Sequence, residues 1–130
     1  MQSHIKLSEA LLLGIPAVKE NRNTFLSEDN PQCPEGCALG TAVYAVGVRA
    51  KDMRYRGFSV NNANPVKVYD KIIELWPWVT MKRAKEISVR HTYGESRESI
   101  AAWIATIEPQ DVPTPTTQEV SNESICTHSA

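Results

Sequence analysis

Long apolar runs are missing from this chain, and net charge is nearly so. The longest run, "ALLLGIPAV" at residues 10–18, is broken by Gly14 and Pro16. It is about half the roughly 18 residues that a membrane-spanning helix needs, so no span and no membrane partner are expected. Fourteen basic residues stand against 15 acidic ones, which leaves no global field to draw the molecule to DNA, RNA or anionic lipid. Such imbalance as exists is local. Asp111, Glu119 and Glu123 lie in a C-terminal stretch without Lys or Arg, leaving residues 1–108 with a surplus of two positive charges, too few to imply a phosphate partner. Cysteine is scarce and odd in number, at Cys33, Cys37 and Cys126. An odd count does not complete a disulfide framework and fits a reducing compartment. Glu9 and Pro16 interrupt what would be the apolar segment of an export signal, and a cytoplasmic protein is expected. The spacings of acyl-transfer, phosphate-loop and metalloprotease motifs are also missing, as is any internal repeat.

What is present is enough for one domain. With 130 residues, 42% of them hydrophobic, the chain can bury a core without a disulfide or a metal. Ser8 is a good N-cap for a first helix through "EALLLG", with Leu7, Leu11 and Ile15 on one face. Pro16 has no N–H to offer and should end that helix near Gly14 or kink it before a restart through "AVKEN". Residues 21–36 are polar and read as a loop. "CALGTAVYAVG", residues 37–47, places Leu39, Val43 and Val46 at helical spacing among small residues. That favours a central helix approached closely by its neighbours, with a strand left open by Val43, Val46 and Val48.

After a polar connection, Asn64 and Pro65 supply an N-cap and a first helical residue, and Tyr69, Ile72, Ile73 and Trp76 share a face until Pro77 stops the helix. Thr80 can cap the next segment, in which Ala84, Ile87 and His91 share a side and Gly94 provides a left-handed stop. The clearest pattern is "SRESIAAWIATIEP". Ser96 stands at the N-cap, and Ile100, Trp103, Ile104 and Ile107 would contribute about 1.5–3 kcal/mol each if fully buried, so this helix is expected to close the core. The expectation is therefore a mainly α fold, a single small helical domain of about five helices over residues 1–108. Residues 109–130, rich in Ser, Thr and Pro, are expected to form a flexible tail that cannot offset its own ordering entropy.

The segments "KLSEALLLG", "CALGTAVYAVG" and "SRESIAAWIATIEP", in that order, resemble a group of short bacterial and phage proteins with Leu-Ser-Glu-Ala, Cys-Ala-Leu-Gly and Thr-Arg-Glu helices. The resemblance implies a helical fold and an origin in a phage or mobile element. It implies no particular reaction. Where that group tends to carry an Asn-Asp pair before a His, this chain has Ser88 and Val89.

Three chemistries compete for the remaining polar residues. "CPEGC" offers Cys33 and Cys37 as thiolates to zinc, with His91, Cys126 or His128 completing a tetrahedron; the plain alternative is a loop thiol and a small buried residue at a helix start. Cys37 at a helix N-terminus also gains thiolate character and would be a nucleophile if His91 lay beside it as base. "VRAKDMRYRGF" and "MKRAKEISVRH" interleave cations with aromatics in a way that suits nucleic acid, although mixed-charge surfaces are ordinarily solvated helix faces. The reading that remains is a non-enzymatic accessory protein that binds a protein partner or self-associates, with no cofactor expected and a nucleic-acid or zinc-associated binder as the alternative. Its contact residues would be Trp78, placed beyond a helix end, and Arg54, Tyr55, Arg56 and Phe58 of the basic connection.

Overall fold

A computed structural model describes residues 5–54 and 63–109 of the chain. The described residues form a mainly α fold with five α-helices: α1 (Leu7–Gly14), α2 (Ala38–Ala45), α3 (Pro65–Leu75), α4 (Thr80–Thr92) and α5 (Arg97–Ile107). No helix among them is long and apolar enough to cross a membrane.

The small residues of α2 explain its place at the centre. Every residue of α2 except Tyr44 is buried, and α1, α3 and α4 all pack against it. Gly40 has no room for a side chain, because a Cβ there would collide with the carbonyl of Phe25, and one at Gly14 would collide with Thr41. The missing side chains let α1 and the chain at Phe25 lie directly on the α2 backbone. α1 is then sandwiched by α5, which contributes Ile100 and Ile104 to the core at no more than 1% exposure. Trp103 and Ile107 of the same pattern are only half-buried. On α3, Val68 and Ile72 are buried, and the Trp76 indole closes the end by donating to the carbonyl of Ile5 at 2.8 Å. Phe25 and Tyr69 meet edge to face at 5.5 Å.

One expectation for the N-terminal part fails, and of the two alternatives at Pro16 the early stop is realised, with α1 ending at Gly14. Ser8 does not begin α1; the extended residue before the helix is Lys6, and Ser8 lies within the first turn. After Pro16 the chain does not resume a helix. The amides of Ala17 and Val18 both turn back to the carbonyl of Gly14, and those of Lys19 and Asn21 find partners in Pro34 and Gly36 at 2.8 and 3.0 Å. This makes Lys19–Glu20 a strand, β1. The polar stretch expected to be all loop supplies β2 (Leu26–Ser27) and β3 (Glu35–Gly36), and the three form a small sheet in the order β1-β3-β2, parallel between β1 and β3 and antiparallel between β2 and β3. The physical reason is that Leu26 and Gly36 are buried against α2, and buried backbone groups have to be paired. Pairing of this kind leaves no periodic trace in two-residue strands.

Candidate functional site

Polar chemistry concentrates in the interior, where α2, α4, α5 and the small sheet meet. His91 projects from the buried side of α4, where its periodicity with Ala84 and Ile87 puts it, and is 0% exposed. Its Nδ1 accepts a hydrogen bond from the Ala38 amide at 3.3 Å, the first N–H of α2. The proton must then reside on Nε2, which donates to Glu20 Oε2 at 2.7 Å. His91 is thus a neutral cap for a helix whose own N-cap residue, Cys37, makes no side-chain capping bond. Burial lowers the pKa of the imidazole more than the neighbouring Glu20 raises it, and the positive charges of Arg22 and Arg97 act in the same direction as burial. Burial also works against the charge on Glu20, yet the hydrogen bond from His91 and the cationic Arg22 hold its carboxyl below the usual range.

Arg22 pairs with Glu20 at 3.3 Å. Its guanidinium also donates to the carbonyls of His91, Gly94 and Glu95, at 2.7, 3.2 and 3.3 Å, and so closes the C-terminus of α4 with positive charge where the helix dipole favours it. Arg97, buried at the start of α5, donates to the carbonyl of Val18 at 2.6 Å and to the hydroxyl of Thr41 at 3.0 Å. That hydroxyl in turn donates to the carbonyl of Cys37 at 2.8 Å. Sequence reasoning missed Glu20, Arg22, Arg97 and Thr41. The signal available for Arg97 was a cation in the first turn of α5, where the helix dipole disfavours it.

The structure brings His91 to the Ala38 amide, one residue along the chain from Cys37, which sequence spacing did not show. It gives Cys37 and His91 other work than nucleophile and base. The lone pair of Nδ1 is occupied by the Ala38 amide, and burial pushes the Cys37 thiol up, away from the thiolate form. Of the residues considered for zinc, Cys126 and His128 lie outside the described residues. Cys33 is disulfide-bonded and so has no thiolate to offer. No cluster of three or more His, Cys, Asp or Glu suited to a metal exists among the described residues.

Of the expected contact residues, Trp78 is half-buried and packs on the core instead of standing free beyond the helix end. Arg54 is exposed, at the end of a 3-10 turn over Ala50–Met53. Tyr55, Arg56 and Phe58 lie outside the described residues. The second basic stretch forms the outer side of α4. Met81, Lys85, Val89 and Tyr93 follow at four-residue steps, one stripe of the helix, with Met81 38%, Val89 51% and Tyr93 84% exposed. Beside the stripe runs an open trough of about 790 Å³ lined by Lys82, Arg83, Lys85, Glu86, Val89 and Arg90. Arg83 and Arg90 are held in place. Each guanidinium lies over the Trp103 ring, at 5.7 and 3.7 Å, and each pairs with a carboxylate, Glu86 at 2.7 Å and Glu95 at 2.8 Å. Trp103 therefore does not vanish into the core as its spacing predicts; its ring is a platform for the two arginines.

No protein-family model, curated protein or solved structure matches the chain.

Proposed function

We propose that this chain is a non-enzymatic accessory protein that works by holding another protein or a second copy of itself against the outer side of α4. In keeping with the resemblance of its three segments, we place its origin in a phage or mobile element. One observation carries the reading. The interior polar groups are engaged with helix ends and buried carbonyls, while Met81 and Val89 of α4 and its C-cap residue Tyr93 turn large apolar side chains to water along one slanting row. Covering such surface returns about 25 cal/mol per Å², and clustered exposed apolar side chains mark contact sites. Scattered ones do not, and Leu12, Leu13 and Val66 belong to other helices.

A second reading has its own support: Lys82, Arg83, Lys85 and Arg90 lie along one trough, as a phosphate-binding face would require. The test is copurification with the native chain and with Met81→Ser/Val89→Ser, followed by sedimentation. A partner or dimer kept by Leu12→Ser and lost by the α4 double variant is the expected result. Identical associations for all three chains count against it, and retention on heparin that weakens steeply with salt favours nucleic acid.

A further inference from the structure

Resting on the reading of α4 as a protein-contact face, we infer that its occupant is an acidic amphipathic helix of about three turns. The charges on the trough are not balanced. The carboxylates of Glu86 and Glu95 are taken by Arg83 and Arg90, whereas Lys82 and Lys85, both exposed, form no ion pair among the described residues. The face presents fixed cations and two mobile ones beside an apolar line.

Fixing matters for affinity. A guanidinium already stacked on an indole and tied to a carboxylate loses little freedom when a partner's oxygen arrives. The lysines, by contrast, are long-armed and adapt to the spacing of the carboxylates they meet. Length follows from the helix itself. Met81 to Tyr93 spans about 18 Å at 1.5 Å per residue, which matches about three turns of a partner helix laid alongside. Such a partner buries its apolar positions on Met81, Val89 and Tyr93 and points Asp or Glu at Lys82 and Lys85, the helix-in-groove mode of recognition with complementary charge fixing partner choice. Duplex nucleic acid matches the cations but leaves the apolar line uncovered.

The probes are three fluorescein-labelled ligands, read by anisotropy at low salt against the full chain: a peptide of about 18 residues with Leu on one helical face and Glu on the other, the same peptide with Lys in place of Glu, and a duplex DNA of about 20 base pairs. We expect the Leu–Glu peptide to bind, with affinity reduced at least about tenfold by Lys82→Glu/Lys85→Glu and by Met81→Ser/Val89→Ser, and the Leu–Lys peptide not to bind. All substituted side chains are exposed, and unchanged melting curves confirm that the variants fold. Equal binding of the two peptides, duplex DNA bound in preference to the Leu–Glu peptide, or indifference to the lysine substitutions overturns the inference. If the acidic peptide fails while Met81→Ser/Val89→Ser still removes the copurifying partner, the acidic occupant is wrong and the contact face stands. If neither responds, both readings fall.

Discussion

Asn64 and Ser96 cap α3 and α5 from the adjacent position in the chain, accepting from Val66 and Lys67 and from Ser99 at 2.8–3.3 Å. α2 is capped from far away, and α1, whose Lys6 amide also donates locally to Glu9 at 3.4 Å, is held from far away as well. The Glu108 carboxylate accepts from the amide and hydroxyl of Ser8, 100 residues distant, and His91 accepts from Ala38, 53 residues distant. The difference follows position. All four helices, of eight or 11 residues, are too short to be stable alone, but α2 is buried nearly all round. A central helix also ends inside the protein, where its first amides cannot turn to water and need a partner carried in by another element. The starts of the peripheral helices are therefore locally specified, and those of the central pair depend on the assembled fold.

The largest way to break this contrast is to deny the central pair its close approach. Gly40→Ala drives a methyl group into the Phe25 carbonyl, a backbone atom that cannot swing aside, and is expected to cost more than about 3 kcal/mol or to prevent folding. Soluble yield and denaturant unfolding check it, and a wild-type midpoint would mean that α2 is not packed as described.

Next comes the long-range cap. His91→Ala removes a buried ring and leaves the Ala38 amide unpaired, a loss of about 2–4 kcal/mol. The same residue makes stability depend on pH. The folded protein holds His91 neutral to lower pH than the unfolded chain does, so the unfolded chain takes up the proton first and stability falls as the pH drops below about 6.5. The depressed carboxyl of Glu20 adds a further fall in more acidic solution, below the usual carboxylate range. Urea midpoints between pH 7 and pH 5 should decline for the native chain and run flatter for His91→Ala. Parallel slopes would show that the imidazole is not the group responsible.

Local caps should matter less. Ser96→Ala and Asn64→Ala are each expected to cost about 1 kcal/mol, with no new pH dependence. A loss equal to that of His91→Ala would erase the distinction between the two regions. An effect of similar size but opposite sign concerns α4, whose cap is local but strained. Thr80 accepts from the Arg83 amide at 3.3 Å while holding φ at 63° and ψ at 162°, a region that suits glycine and burdens a β-branched residue by about 1–3 kcal/mol. Thr80→Gly gives up a few tenths of a kcal/mol of capping and relieves that strain. A gain of about 1 kcal/mol by thermal or urea unfolding is expected, and a loss would mean that the strain is compensated.

Much of the fold was legible because its signals act over three or four residues. Asn64 with Pro65, Ser96, Thr80 and Gly94 each mark a helix end by chemistry that involves only near neighbours, and Gly94 indeed adopts φ 113°. The candidate contact face was half legible. "MKRAKEISVRH" announced its cations, but the stacking of Arg83 and Arg90 on Trp103 depends on how α5 lies against α4. Trp78, placed beyond a helix end, is drawn partly onto the core by a turn whose direction a Pro alone does not fix.

Local composition by itself determined that this chain is mainly helical, where its outer helices begin and end, and that one helix of small residues sits at the centre, because propensity, capping and period are properties of adjacent residues. Tertiary structure alone decided that Lys19–Glu20 is a strand, that Ser8 is held by Glu108, and that His91 caps α2 instead of serving Cys37 as a base. Those outcomes depend on which buried donors and acceptors meet when distant segments pack, and no local spacing encodes that.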